Sequence, residues 1–120
     1  MSTILMIDDE EVILKMLKMA LEAYGHQVET AANGREGVRK FNEGHFDIVI
    51  TDMVMPDLDG KGVVRHIRES ERNGTPIIGI SGTPWLLEGE GFNSVLPKPF
   101  SIKALLESVH NLALMTAEAV

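Results

Sequence analysis

Three aspartates, one serine and one lysine stand where the rest of the chain can bring them together. Asp8 and Asp9 follow an apolar run at residues 3–7, and Asp52 follows one at 46–51. Ser81 follows a run at 76–80, and Lys98 comes just after a short one at 94–96. If those runs are parallel strands, all five groups meet at one edge of a sheet. Carboxylates crowded there repel by about 4 kcal/mol per close pair at an effective dielectric of about 20, so a positive charge must sit among them. Oxygen donors with no His or Cys beside them favour Mg²⁺ over zinc, and Lys98 supplies a further point charge from the opposite side.

Such a pocket suits phosphoryl transfer, in which a protein mainly positions groups and neutralises charge on the equatorial oxygens. Asp52 would be the nucleophile and form an aspartyl phosphate. The cation and Lys98 would share the incoming charge, while the Ser81 hydroxyl would donate a hydrogen bond to one phosphoryl oxygen. A hydroxyl drawn towards the phosphate would also tie chemistry to loop shape. Taken singly, each residue has a plainer reading. Asp8 with Glu11 fits a helix capping box, Asp52 in Thr51-Asp-Met-Val-Met-Pro fits a turn, and a lone Ser or Lys after a strand is ordinary polar surface. The joint placement carries the chemical reading.

The elements that must position these residues are legible in the hydrophobic pattern. Residues 3–7, 27–31, 46–51, 76–80 and 94–96 read as strands. Val12, Ile13, Met16, Leu17, Ala20, Leu21 and Tyr24 recur at three- and four-residue steps, which predicts a first helix with that face inward and a stop at Gly25. Residues 34–42 and 60–73 read as further helices, the latter capped by Asp59. Ile102, Leu105, Leu106, Val109, Leu112 and Ala113 mark a C-terminal helix that begins near Pro99 or Ser101. Strand and helix alternate, so the crossovers are right-handed and the sheet is parallel, doubly wound and covered on both faces. Ligands in such folds sit beyond the carboxyl ends of the strands. One stretch breaks the rhythm. Residues 82–97 must hold a loop, a helix, another loop and a strand, which leaves about six residues for a helix whose mean length is about 11 or 12. The fourth helix should be a stub or irregular, the more so because Gly89 and Gly91 fall there.

Composition narrows the function. The 18 acidic and 11 basic residues give a net charge of −7, which opposes contact with a phosphate backbone and predicts no direct nucleic-acid binding. The absence of cysteine excludes a disulfide framework, a thiolate metal site and a cysteine nucleophile. The amino-terminal segment has no basic region, and Asp8 interrupts its apolar stretch, so no signal peptide or membrane span is expected there. The expectation is one soluble, cytoplasmic domain over residues 1–120.

At the residues singled out above, the chain resembles the receiver domains of bacterial response regulators. The segments that carry the likeness are Ile-Asp-Asp-Glu-Glu at 7–11, Asp-Met-Val-Met-Pro-Asp-Leu-Asp-Gly at 52–60, Ile-Ser-Gly at 80–82 and Leu-Pro-Lys-Pro-Phe at 96–100. The resemblance implies a flavodoxin-like (βα)5 three-layer sandwich with sheet order 2-1-3-4-5. It implies phosphorylation of Asp52 by a histidine kinase or histidine phosphotransfer protein, with no enzyme activity beyond the chain's own phosphorylation and dephosphorylation. Mg²⁺ would be held by Asp9, Asp52 and the Val54 carbonyl, with Asp8 acting through water, and Lys98-Pro99 would be cis. Output would pass to a downstream protein effector or to a removed output domain. Two departures bear on that output. Most members place an aromatic three residues before the lysine, which turns inward with the Ser/Thr; here Val95 stands in its place beside the switch residue Ser81. The fourth helix is also curtailed. Val54, where many members carry a polar side chain that orients attacking water, points to slow dephosphorylation.

Other readings are a pseudo-receiver that acts as a phosphorylation-independent scaffold, an aspartate-nucleophile phosphatase and a flavodoxin. The phosphatase needs Asp-x-Asp after the first strand, where this chain has Asp-Asp-Glu. The flavodoxin needs a phosphate loop that carboxylates would repel. His26, His45, His66 and His110 lack mutual ligand spacing. The seven methionines read mostly as core filler, and Trp85, beside Leu86 and Leu87, reads as a cover for core left open by the short helix, with an anchor for a partner as the second reading.

Overall fold

The apolar runs at 3–7, 48–52 and 77–81 form the middle of one parallel sheet because each is too apolar to leave either face in water, while the segment at 27–31, with Gln27 and Glu29 exposed, stands at an edge. In chain order the elements are β1 (Thr3–Ile7), α1 (Glu11–Ala23), β2 (Gln27–Ala31), α2 (Gly34–Glu43), β3 (Ile48–Asp52), α3 (Gly60–Arg68), β4 (Ile77–Ser81), a 3-10 turn (Pro84–Leu87), β5 (Ser94–Pro97) and α4 (Ile102–Glu118). The computed structural model describes residues 1–87 and 91–118, with side chains at all of these except 86, 87 and 115–118. Strand order is β2-β1-β3-β4-β5, as the resemblance implies. Strand bounds agree with the pattern to within two residues.

Two apolar layers hold the sandwich. Ile4, Met6, Ile50, Ile78 and Ile80 meet Leu14, Leu17 and Leu21 of α1 and Leu105, Val109 and Leu112 of α4. On the other face, Leu5, Ile7, Val49 and Ile77 meet Phe41 of α2 and Val63, Val64 and Ile67 of α3. Each fully buried side chain of this size contributes about 1.5–3 kcal/mol. The exposed Arg39–Glu43 pair is worth at most about 1 kcal/mol, so burial rather than ion pairing holds the layers.

α1 turns inward only part of the face its spacing predicts, since Leu17 and Leu21 are buried and Ile13 packs against the core, and it adds Leu14 to them. Leu14, Leu17 and Leu21 are buried, whereas Val12, Met16 and Tyr24 are exposed along with Met19. Apolar residues cover more of this helix than one core-facing stripe needs, so periodicity alone cannot choose among them. The methionines divide accordingly: Met6, Met53 and Met55 are buried, and Met1, Met16 and Met19 are exposed, while the Met115 side chain lies outside the described residues. As expected, α1 ends before Gly25, whose φ is +88°.

α3 stops at Arg68, five residues before the predicted end. Ser70 Oγ donates to the Ile67 carbonyl at 2.6 Å and accepts from Arg72 N at 3.2 Å, which turns the chain away from the helix axis. Asp59 caps the other end, its Oδ1 accepting from Gly62 N at 3.0 Å. Arg72 donates to the Phe41 and Gly44 carbonyls and so closes α2.

Between β4 and β5 the described residues hold only the four-residue turn, which agrees with a stub; Gly89 lies outside the described residues. Trp85 does not cover the core, because it is 68% exposed. The Leu86 and Leu87 side chains lie outside the described residues. Phe92 covers the sheet instead. It packs on the α2/α3 layer, and its ring lies so near Gly79 that an ideal Cβ there would come within 2.7 Å of it.

Arg68 fixes the segment that bears Phe92. Its guanidinium donates to the carbonyls of Gly91 at 2.7 Å, Asn73 at 2.6 Å and Thr75 at 2.7 Å, and to Asn93 Oδ1 at 2.8 Å. Replacing Arg68 by Ala should lower the free energy of unfolding by about 1–3 kcal/mol. Urea denaturation checks this, with Arg65→Ala on the exposed side of α3 as the control, expected to stay within about 0.5 kcal/mol of the parent.

Candidate functional site

Strand register brings the predicted residues together. Ile7 pairs with Thr51, so Asp8 and Asp52 each lie one step beyond a matched pair on neighbouring strands. Asp52 pairs with Ile80, and Ser81 pairs with Pro97. Asp52, Ser81 and Lys98 therefore reach the same edge from three consecutive strands, and Lys98 N donates to the Ser81 carbonyl at 2.8 Å. The Lys98-Pro99 bond is cis.

One carboxylate oxygen each from Asp8, Asp9 and Asp52 lies within 4.8 Å of the others, and among the described residues this is the one such grouping. Asp8 and Asp52 are buried and Asp9 is exposed. Lys98 Nζ lies 3.0 Å from Asp52 Oδ1, and the same oxygen accepts from Met53 N at 2.9 Å. Burial pushes the Asp8 carboxyl up to about 6, helped by the charge of Asp52 and opposed by its hydrogen bond from Glu10 N. Burial works against the Lys98 ammonium, yet the hydrogen bond and charge of Asp52, with Asp8 and Glu10 beyond it, outweigh that and hold its pKa above the ordinary lysine value. One ammonium thus answers three carboxylates. An oxygen-only donor set with a surplus of negative charge fits a hard divalent cation.

The capping-box reading of Asp8 with Glu11 fails. Asp8 Oδ1 accepts from Glu10 N at 2.9 Å, while Glu10 occupies the cap of α1 with no side-chain bond to the helix. Ser81 is buried, and its Oγ accepts from Thr83 N at 2.9 Å. Val54 follows in the loop after Asp52 with its side chain 82% exposed. Val95 is half-buried opposite Gly79 and carries no ring. The histidines stay apart from the acidic group: His66 Nε2 meets Asn42 Oδ1 at 2.8 Å, and His26 Nδ1 accepts from Ser2 N at 3.1 Å.

Sequence reasoning missed three participants. Glu10 supplies the N–H that holds Asp8, Thr83 holds Ser81, and the buried Thr51 hydroxyl donates to the Asp52 carbonyl at 2.9 Å. A hydroxyl two residues before a Thr N–H is a known local turn, so Thr83 could have been found. The other two act through backbone geometry that no residue type announces.

A groove opens beside this cluster. Asp8, Glu10 and Lys98 form its rim, and Ile13, Met16, Leu17, Pro99, Phe100 and Ile102 line a cavity of about 460 Å³. Val12 and Met19 of α1, four residues before and three after the groove's Met16, are exposed as well. No helix among the described residues is long and apolar enough to cross a membrane.

A family model described as the response regulator receiver domain matches residues 4–110. The transcriptional regulatory protein TrcR of Mycobacterium tuberculosis is 31% identical over 114 residues, covering 91% of this chain and 44% of that protein. The chain spans about half the length of the curated relatives it matches first. A response regulator receiver domain protein from Clostridium thermocellum superposes with a TM-score of 0.91 at 32% identity, covering all of both chains. The response regulator TrrA of Thermotoga maritima, solved in complex with Mg²⁺-BeF, gives a TM-score of 0.85 at 32% identity over 93% of this chain and 99% of that one. Sheet order, the acidic edge and these likenesses converge: this chain belongs to the response regulator receiver domain family of two-component signalling.

Proposed function

We propose that the chain accepts a phosphoryl group on Asp52 from a phosphohistidine, in a Mg²⁺-dependent reaction that it catalyses on itself alone. The observation that carries this reading is a buried Asp52 gripped by Lys98 at 3.0 Å within a group of three aspartates. Asp9, Asp52 and the Val54 carbonyl would hold the cation, with Asp8 behind a water. When bound, the cation would neutralise charge on the phosphoryl oxygens and on the carboxylates around them.

The chain's own groups have distinct tasks. Asp52 presents one oxygen as nucleophile while Met53 N and Lys98 hold the other. Lys98 is placed to move its ammonium from that carboxylate to the arriving phosphoryl group. Ser81 Oγ accepts from Thr83 N and shares a longer 3.3 Å contact with the Thr83 hydroxyl, and its own hydrogen would turn from that contact to a phosphoryl oxygen. A phosphorylation-independent scaffold has no use for three mutually repelling carboxylates, which weighs against that alternative.

The groove beside the cluster suits a phosphodonor protein. It shares Asp8 and Lys98 with the phosphoacceptor cluster, so a partner seated on its apolar floor would bring a histidine at its edge towards Asp52. A histidine kinase or histidine phosphotransfer protein is the matching partner. Output through an effector protein or an attached domain is consistent with relatives about twice as long, TrcR and ResD among them, that are transcriptional regulatory proteins.

Acetyl phosphate with Mg²⁺ should add one phosphoryl mass to the chain. Asp52→Asn should abolish that addition; labelling that survives the substitution, or that ignores chelation of Mg²⁺, overturns the reading. Met16→Glu on the groove should slow transfer from a phosphohistidine protein by tenfold or more, on the order of the 1.4 kcal/mol that one lost apolar contact represents, while acetyl phosphate labelling stays as in the parent. Val54 offers no group to orient water, so the phosphorylated form should decay over tens of minutes or longer, and Val54→Glu should shorten its half-life. Timed mass spectra check both, and a parent half-life of seconds refutes the role given to Val54.

A further inference from the structure

The loop between β3 and α3 must present the Val54 carbonyl, and it is braced from a helix with no other link to the chemistry. At its far end, Gly60 N donates to the Met53 carbonyl at 3.1 Å. At its apex it rests on the first turn of α2 through two successive residues. The Leu58 carbonyl lies where a side chain at Gly34 would be, only 2.1 Å from an ideal Cβ. Next to it, the Arg35 guanidinium grips both carboxylate oxygens of Asp57, through Nε to Oδ2 and through its terminal nitrogen to Oδ1 at 3.1 Å.

Asp57 has φ +70°, the one positive value at a non-glycine residue among the described residues. Glycine would adopt that conformation more readily, yet an aspartate stands there with its carboxylate in a two-point fork. A two-point fork fixes orientation as well as distance. The Arg35 hydrogen bonds hold the Asp57 carboxyl below the usual carboxylate range. Both side chains are more than half exposed, so the contact adds little to the core. Asn33 caps α2 by accepting from Glu36 N at 2.8 Å, which gives the brace a firm footing.

We propose that Arg35 is a positioning residue for the phosphorylation site: its grip on Asp57 fixes the loop that carries Val54 and so sets the affinity of the acidic cluster for its divalent cation. This rests on the Mg²⁺-dependent reading above. Arg35 touches neither the phosphoryl group nor the cation. It acts only through the loop.

Calorimetric titration with magnesium chloride tests the inference on the full chain. Arg35→Ala and Asp57→Gly should each weaken Mg²⁺ binding about two- to fivefold, the span an exposed ion pair supports, and the double variant should be no worse than either alone. Arg35→Lys should fall between. Labelling by acetyl phosphate should slow at low Mg²⁺ and recover when Mg²⁺ is raised. If the parent takes up Mg²⁺ and Arg35→Ala does so equally well, the inference is overturned while the phosphorylation reading stands. Parent-like affinity in Asp57→Gly also overturns it, since the backbone shape would then suffice without the fork. An affinity loss that merely tracks a fall in the thermal midpoint of Arg35→Ala would mark the pair as structural and overturn it too. A parent that takes up no Mg²⁺ overturns the reading beneath.

Discussion

Crowded negative charge at the tips of two adjacent strands, β1 and β3, is the constraint around which this molecule is arranged. Asp8 and Asp52 are nearly removed from water, Asp9 stands beside them, and one ammonium pairs with Asp52 at the centre of the group. Left alone, that grouping works against folding, because burial and like charge both disfavour ionised carboxylates. A sheet buried on both faces can carry the load. The interior layers supply many apolar contacts, each larger than an exposed ion pair, so the edge can remain poised to receive a cation and an anion.

That division of labour explains which parts were legible in the sequence. Strands β1, β3, β4 and β5 announced themselves as short apolar runs and β2 only as Gln27 to Ala31 between two helical stretches, and the site residues announced themselves by following the apolar runs, since chemistry in a doubly wound sheet collects at the strand ends. Helix faces were harder. In α1, Val12 and Met16 are as apolar as Leu14 and Leu17, and only tertiary packing decides which of them turn inward. The end of α3 was hidden because Ser70 and Arg72 halt the helix through hydrogen bonds to carbonyls that composition does not reveal. Trp85 misled for the opposite reason. A large aromatic beside a shortened helix suggests a plug, yet Phe92 fills that place and Trp85 faces solvent.

The excess apolar surface of α1 acquires a meaning once the site is placed. Leu14, Leu17 and Leu21 satisfy the core, while Val12, Met16 and Met19 lie outside it and lead to the groove that shares Asp8 and Lys98 with the acidic edge. Methionine suits such a role, because an unbranched, polarizable chain adapts to more than one partner surface. The opposite side of the sheet is organised differently. Arg68, Gly91 and Asn93 fasten the segment after the 3-10 turn against α3, so the face on which receivers usually carry a full fourth helix is closed by hydrogen bonds to a loop.

The contact between Gly79 and Phe92 has a consequence for how this chain can evolve. Any methyl group gained at position 79 would meet the aromatic ring at less than a contact distance, and losing the ring would bare the strand beneath it. The two sites are therefore tied in descent, each limiting what the other tolerates.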